Sequence, residues 1–538
     1  MIIRDVTTSE TPSPLATERS ELLARLAQPV TYDVAVIGGG GTGLGVALDA
    51  AARGFSVVLL ESHDFAKGTS SRATKLVHGG VRYLAQGNIA LVREALHERT
   101  TLLRNAPHLA QPLAFVMPSY KLWEMPFYGV GLKMYDALAG KAGLGATEFL
   151  GRMETLRCLP TAVAEGLKGG VKYWDGQFDD ARLALALART AALHGALVVN
   201  YCPVTDLLYD NGKVAGLVCE DAETARRFNV RAKCVINATG VWVDALRQRD
   251  GQASGVNVKP MVAPSQGVHI VVDQEFLSSD HALMVPKTAD GRVLFAVPWL
   301  GKLILGTTDS PRQDLAREPQ AMREEVAFIL GESARYLRRA PRAEDVRSIW
   351  VGLRPLVKPQ DEDGGNTKSI SREHTVLASR SGLVTVTGGK WTTYRAMAED
   401  VLQKCMDERL LPARPGGVTA ALPLVGAVAG PGKQGLNAPQ GLHSYGAEAP
   451  AVAALPGAGT ELAPGLTEAM VRFAARHEYA RTVEDVLARR ARVLFLDARL
   501  AAKLAPRVAE VLRDELPDHD PQLAAFQALA QQYARVPV

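Results

Sequence analysis

The stretch TGGKWTTYR, residues 387–395, puts two glycines, a cation and two hydroxyls in one short turn. Gly388 and Gly389 let a main chain come close to a bound group, Lys390 supplies positive charge beside it, and Thr392 and Thr393 supply hydrogen bonds. The same residues also read as a plain strand, turn and helix in GLVTVTGGKWTTYRAMAEDVLQKC, so the chemistry depends on what the turn faces. A second glycine cluster is more specific. Gly38, Gly40 and Gly43 satisfy G-x-G-x-x-G between a predicted strand, YDVAVI, and a predicted helix, and Glu61 ends the next strand, SVVLLE. In that arrangement the glycines admit a pyrophosphate, the helix N-terminus faces its charge, and the carboxylate takes the ribose hydroxyls. A glutamate at 61 disfavours a 2′-phosphate, but it does not separate NAD from FAD.

The segment that follows is GTSSRATKLVHGGVRYL, residues 68–84, rich in the small hydroxyl side chains Thr69, Ser70, Ser71 and Thr74 and followed by His78. A nicotinamide domain usually proceeds to another helix at this point. A flavin enzyme runs a polar segment along the pyrophosphate and under the isoalloxazine. A Ser/Thr-rich loop is the plain alternative.

Several elements must position these residues. The length of 538 residues calls for two or three domains, and 47% hydrophobic with 22% charged residues is the composition of a globular protein. A net charge of +4 carries no nucleic-acid signal. Five scattered cysteines without CxxC pairing suggest a reducing compartment and no zinc or other metal site. The first twenty residues lack an apolar core and do not read as a secretory signal. NGK at 211–213 marks a hairpin turn, CVINATGVWVD is a buried strand ending in small residues, and GVHIVVD, RVLFAVPW and KLILGTTD suggest an antiparallel sheet. Residues 425–466 are rich in Gly, Pro and Ala, and 467–538 are helical by pattern.

With GGGGTGLG, TSSRATKLVHGGVRYL, INATGVW, GVHIVVD, VPW…LGTTD, GLRPL and GGKWTTYR in this order, the sequence resembles the FAD-dependent glycerol-3-phosphate dehydrogenases of the D-amino-acid-oxidase-like flavoprotein superfamily. The likeness runs from about Tyr32 to Arg395 and resumes at RTVEDVLARRARVLFLD, residues 481–497. Departures are Trp391, where the family commonly has a smaller or aliphatic residue, and a longer N-terminal arm. The resemblance implies an α/β fold with a discontinuous Rossmann-type FAD-binding domain (30–110, 166–250 and 373–405), an antiparallel-sheet substrate domain (111–165 and 251–372), an arm (1–29), a linker (406–466) and a C-terminal all-helical domain (467–538).

It implies FAD held by Gly38, Gly40, Gly43, Glu61, Thr69, Ser70, Ser71, Lys75, His78, Gly79, Gly80, Val204, Ala238, Thr239, Gly240, Gly306, Thr307, Asp309, Gly388, Gly389, Lys390, Trp391 and Thr392. For glycerol 3-phosphate it implies Arg82, Tyr83, Arg354, Arg372 and Thr392, because arginine forks suit a phosphate dianion. His269 is the first candidate for the general base on the C2 hydroxyl, with His78, Lys390 and Arg354 as the other catalytic candidates. The implied reaction gives dihydroxyacetone phosphate by hydride transfer to the flavin, with a membrane quinone as acceptor; an oxygen-reducing oxidase on the same fold is the alternative. The expected location is cytoplasmic, peripheral on the inner face of the cell membrane, and a homodimer is left open. YKLWEMPFYGVGLKMYDAL, residues 120–138, is the expected membrane contact, with Trp123, Met125, Phe127, Tyr128, Met134 and Tyr135 among lysines, although Pro126, Gly129 and Gly131 argue against a continuous helix there.

Overall fold

A computed structural model describes residues 14–80, 88–288, 291–358, 374–428 and 434–537. Among these residues two large sheets dominate. The first contains the strands 374–378, 384–388, 227–237, 31–37, 57–60 and 197–199 in spatial order, with a hairpin (204–210 and 213–220) on the first half of 227–237. The four neighbours from 384–388 through 57–60 run parallel, with Ala35 opposite Val58 and Ile236 opposite Val384. Parallel strands covered on both faces must be apolar throughout, and Val34, Ala35, Val36, Val58, Leu59 and Ile236 are all without solvent contact. The helices Gly41–Ala52, Asp180–Leu193 and Tyr394–Asp407 supply the cover.

The second sheet is antiparallel except where Ala282–Val285 runs parallel to Ala110–Ser119. Its long strands are Ala110–Ser119, Gly169–Phe178, Val262–Asp273 and Ser348–Val357. One face packs on the helix Arg323–Ala334 through Val268, Ile270 and Val272; the other carries Val271, Trp299 and Trp350 into a core shared with the C-terminal helices Glu468–His477, Ala498–Glu515 and Leu523–Ala534.

Three expectations change. The strand Gly169–Phe178 falls in the segment assigned to the FAD domain, but it pairs along its whole length with Ala110–Ser119 in the second sheet. The described residues within 406–466 are not a loose linker: Leu424, Leu436, Tyr445 and Val452 are buried, and Leu424 N–H donates to Asn105 O at 2.9 Å. Widely spaced apolar residues suffice to dock a Gly/Pro/Ala-rich chain that has no period of its own. The stretch around Pro126 forms an unbroken helix, Glu124–Ala139, because Pro126 sits in the first turn, where its missing N–H has no partner to lose.

Candidate active site

A cavity of about 930 Å³ opens where the two sheets meet. Its nucleotide end is built by local geometry. A Cβ on Gly43 would lie 2.0 Å from Gly38 O, so only glycine lets the helix Gly41–Ala52 sit this close to the end of the first strand. Gly38, Gly40, Gly41 and Thr42 line the cavity at that N-terminus. The Glu61 carboxylate also lines it, fixed by Gly39 N–H at 2.6 Å and His63 N–H at 2.9 Å. Ser70 ties the polar segment down: Gly41 N–H donates to its Oγ at 2.9 Å, and the Trp391 indole N–H donates to its carbonyl at 2.9 Å. Trp391 therefore clasps the two phosphate-side segments together, with its ring over Gly41. Thr69, Gly80, Val204, Ala238, Thr239 and Gly240 complete this part of the lining. A glycine cradle, a helix N-terminus and a fixed carboxylate fit an FAD dinucleotide.

The GGK turn faces this cavity. The strand Val384–Gly388 ends at Gly388 with φ +84°, Gly389 follows at +72°, and Lys390, Trp391 and Thr392 enter the cavity wall before the helix Tyr394–Asp407 begins. Both glycines hold a left-handed backbone that side chains rarely adopt. Thr392 Oγ1 accepts from His78 N–H at 3.2 Å, which brings His78 to the same wall.

Across from this turn lies the strand Val262–Asp273. Ser265, Gly267 and His269 alternate onto one of its faces, and Arg354 stands opposite Ser265 on the neighbouring strand. A Cβ on Gly267 would lie 2.3 Å from Arg354 Nη2, so the glycine gives the guanidinium its place. Arg354 is held by Thr308 O at 3.0 Å, Thr307 Oγ1 at 3.2 Å and Asp309 Oδ1 at 3.3 Å. His269 is 2% exposed, stacked on Trp350 at 5.2 Å between centroids, with Nε2 at 2.9 Å from Thr74 Oγ1. Burial, then the charges of Arg354 and Lys75, hold its imidazole well below the usual histidine range, which keeps it neutral in the resting protein.

Most residues singled out in the sequence face this one cavity, but Gly43, Ser71, Lys75, Gly79 and Gly306 do not line it. Gly43 serves helix–strand packing. Gly306 leaves room for the His269 ring, since a Cβ there would lie 2.6 Å from Cδ2. Gly79 N–H donates to Tyr135 Oη at 2.8 Å. Lys75 lies fully buried behind the wall, its ammonium on Ser71 O and Asp180, both at 2.7 Å. Its φ of +66° turns it away from the hydroxyl run. Arg82, Tyr83 and Arg372 lie outside the described residues. Sequence reading did not single out Trp242, Arg249 and Arg317 in the lining; Trp242 ends the INATGVW motif, whereas no motif carries the two arginines, which the fold alone delivers.

The family model described as FAD dependent oxidoreductase matches residues 33–395, and that of the C-terminal domain of alpha-glycerophosphate oxidase matches 417–521. The chain is 40% identical to glycerol-3-phosphate dehydrogenase SDP6, mitochondrial, of Arabidopsis thaliana, over 94% of this chain and 86% of that protein. It is 42% identical to the mitochondrial glycerol-3-phosphate dehydrogenase of Rattus norvegicus, over 93% and 72%. This chain belongs to the FAD-dependent glycerol-3-phosphate dehydrogenase family. The glycerol-3-phosphate dehydrogenase of Bacillus halodurans, solved with FAD, superposes with a TM-score of 0.75 at 30% identity, covering 96% of this chain and 98% of that one. The cofactor of this family member is FAD, and the mixed α/β fold with a C-terminal helical domain is that of the family.

Proposed function

We propose that the protein oxidises sn-glycerol 3-phosphate to dihydroxyacetone phosphate and passes the electrons to a membrane quinone. The observation that carries the substrate reading is the placement of His269 and Arg354 on one face of adjacent strands, across the cavity from Lys390 and Thr392. Bound FAD supplies a two-electron acceptor for the hydride from C2. His269, neutral, takes up the proton lost from the C2 hydroxyl. Arg354 presents a positioned guanidinium to the phosphate, and its contacts to Thr307 and Thr308 keep the fork from collapsing when no anion is present. Lys390, at the start of the turn, favours negative charge on the reduced cofactor. Arg82 and Arg372 join the phosphate site on the family likeness, and His78 and Tyr83 stand near the reacting end on the same ground.

The acceptor reading is supported by an apolar outer surface. Leu122, Trp123, Phe127, Val130 and Met134 are more than half exposed along the helix Glu124–Ala139 and its entry, and Phe149, whose ring covers Gly129, and Met153 extend the patch. Lys121 and Lys133 are exposed beside it. Clusters of this kind rarely face water, and rings with lysines suit a lipid headgroup boundary. Tyr135, in contrast, points inward to Asp175 at 3.0 Å. Among the described residues no helix is long and apolar enough to cross a membrane. On the strength of the patch we assign a peripheral contact with the inner face of the cell membrane.

Anaerobic mixing with glycerol 3-phosphate should bleach the flavin, and glycerol should not. Turnover with a short-chain ubiquinone should exceed turnover in air with peroxide as product. Bleaching by amino acids instead, or faster turnover with oxygen, would defeat the substrate and acceptor readings respectively.

A further inference from the structure

His269 lines the cavity but is almost fully buried in its wall. Trp350 covers one side of its ring, and Gly306 lies against Cδ2. Nδ1 is buried without a hydrogen-bond partner, and Nε2 meets Thr74 Oγ1 at 2.9 Å. Thr74, in contrast, is only half-buried and lines the cavity. The hydroxyl of Thr74 therefore joins the cavity to Nε2, the one ring nitrogen that has a hydrogen-bond partner.

Its position is fixed from both sides. Ala73 N–H donates to Asp180 at 3.1 Å, and the Lys75 ammonium binds the same carboxylate and Ser71 O. Arg492, from the C-terminal part of the chain, reaches Ser71 O at 2.9 Å and Asp180 at 3.0 Å. A threonine held between two such anchors has little freedom to leave its histidine.

We propose that Thr74 is a proton relay between the substrate C2 hydroxyl and Nε2 of His269. The inference rests on His269 being the base. In one concerted step the substrate O–H breaks and its proton bonds to Thr74 Oγ1, while the proton that Thr74 carried bonds to Nε2. The C2–H bond breaks with its electron pair going to the oxidised flavin, and C2=O forms. Thr74 ends neutral and His269 ends as imidazolium, which returns the proton by the same path after product leaves. The step needs Nε2 unprotonated beforehand, so Nδ1 carries the ring hydrogen.

Stopped-flow flavin reduction by glycerol 3-phosphate under anaerobic conditions tests this. Thr74→Val should keep flavin content and spectrum but slow reduction by about 10²–10⁴-fold, the usual worth of a positioned proton-transfer group. Thr74→Ser, which keeps the hydroxyl, should stay within about tenfold of wild type. In wild type, the rate against deuterium fraction should curve downward in a bowl, because two protons are in flight; in Thr74→Val any dependence should be linear. If Thr74→Val loses flavin, the wild-type curve alone decides, and a straight line overturns the relay. If Thr74→Val reduces as fast as wild type while His269→Gln is slow, His269 acts directly and the relay is wrong. If His269→Gln is also fast, the base assignment itself has failed. Equal slowing in Thr74→Ser and Thr74→Val would show that shape, not the hydroxyl, matters, and would also overturn it.

Discussion

The ammonium of Lys75 lies 2.7 Å from the carboxylate of Asp180, and neither side chain reaches solvent. The same carboxylate serves Arg492 and the Ala73 N–H. Burial, with Arg492 nearby, pulls the Lys75 ammonium down to about 7, so one anion is shared between a permanent and a labile cation. Removing Lys75 leaves Asp180 still paired with Arg492, whereas removing Asp180 takes the nearer carboxylate from two buried cations at once, leaving Lys75 on Ser71 O and Arg492 on Ser71 O, Ala488 O and the more distant Asp179. Asp180→Asn should therefore cost about 3–5 kcal/mol, the usual result of breaking a buried pair. Lys75→Met should cost about 1–2 kcal/mol. Denaturant unfolding of the holoprotein measures both, and the opposite order would mean that Lys75 is the principal partner.

Arg354→Ala should raise KM for glycerol 3-phosphate and weaken kcat/KM by about 2–5 kcal/mol if the proposed charge contact to the phosphate is lost. Preference over glycerol should fall by the same factor. Arg354→Lys should recover only part, since a point charge cannot replace a fork. An unchanged ratio of the two kcat/KM values would remove Arg354 from the phosphate site.

Acid should weaken the fold through its buried histidines. His108 is pushed down to about 3 by burial first and then by the charges of Arg182 and Arg189, although its backbone contact to Val425 raises it. His269 moves the same way. Below about pH 6.5 the unfolded chain takes up protons that the folded chain refuses, so stability falls as pH falls, by about 1.4 kcal/mol per pH unit for each histidine. For His108 the window runs from about 6.5 down to about 3. The loss in Tm between pH 7 and pH 5 should shrink in His108→Gln, and an equal loss in both proteins would assign the acid sensitivity elsewhere.

Flotation with liposomes tests the outer patch. Wild type should float, more strongly with anionic lipid, and a Trp123→Ser/Phe127→Ser double variant should stay in the dense fraction while its flavin still bleaches with substrate. Equal flotation of the two would move the contact to another surface.

What the sequence made legible was local. Gly38, Gly40, Gly43 and Glu61 announce a dinucleotide site because strand, turn and helix compress its requirements into a short spacing. The GGK turn is legible for the same reason. The pairing of Thr74 with His269 spans 195 residues and that of Asp180 with Arg492 spans 312, and no periodicity reports them. Lys75 looked like a cofactor ligand because it sits in a motif; its left-handed backbone, invisible in the sequence, sends it the other way. Pro126 looked like a break because its effect depends on where the helix starts, which composition does not say.

The arginines near the end of the chain carry a consequence for biosynthesis. Asp64, just beyond the cofactor carboxylate Glu61, is fully buried against Arg489 and Arg490, and Asp180 depends on Arg492. The ribosome therefore makes Asp64 425 residues before the arginine that neutralises it. Until then the buried site of Asp64, beside the segment that cradles the pyrophosphate, has no cation to offset the cost of taking a carboxylate out of water. A nascent or truncated chain ending before residue 489 has every glycine of the dinucleotide motif but lacks the two arginines that pair the buried Asp64. Flavin retention should therefore fall in a chain truncated before residue 489, and equal flavin content in truncated and full-length protein would unlink the two ends.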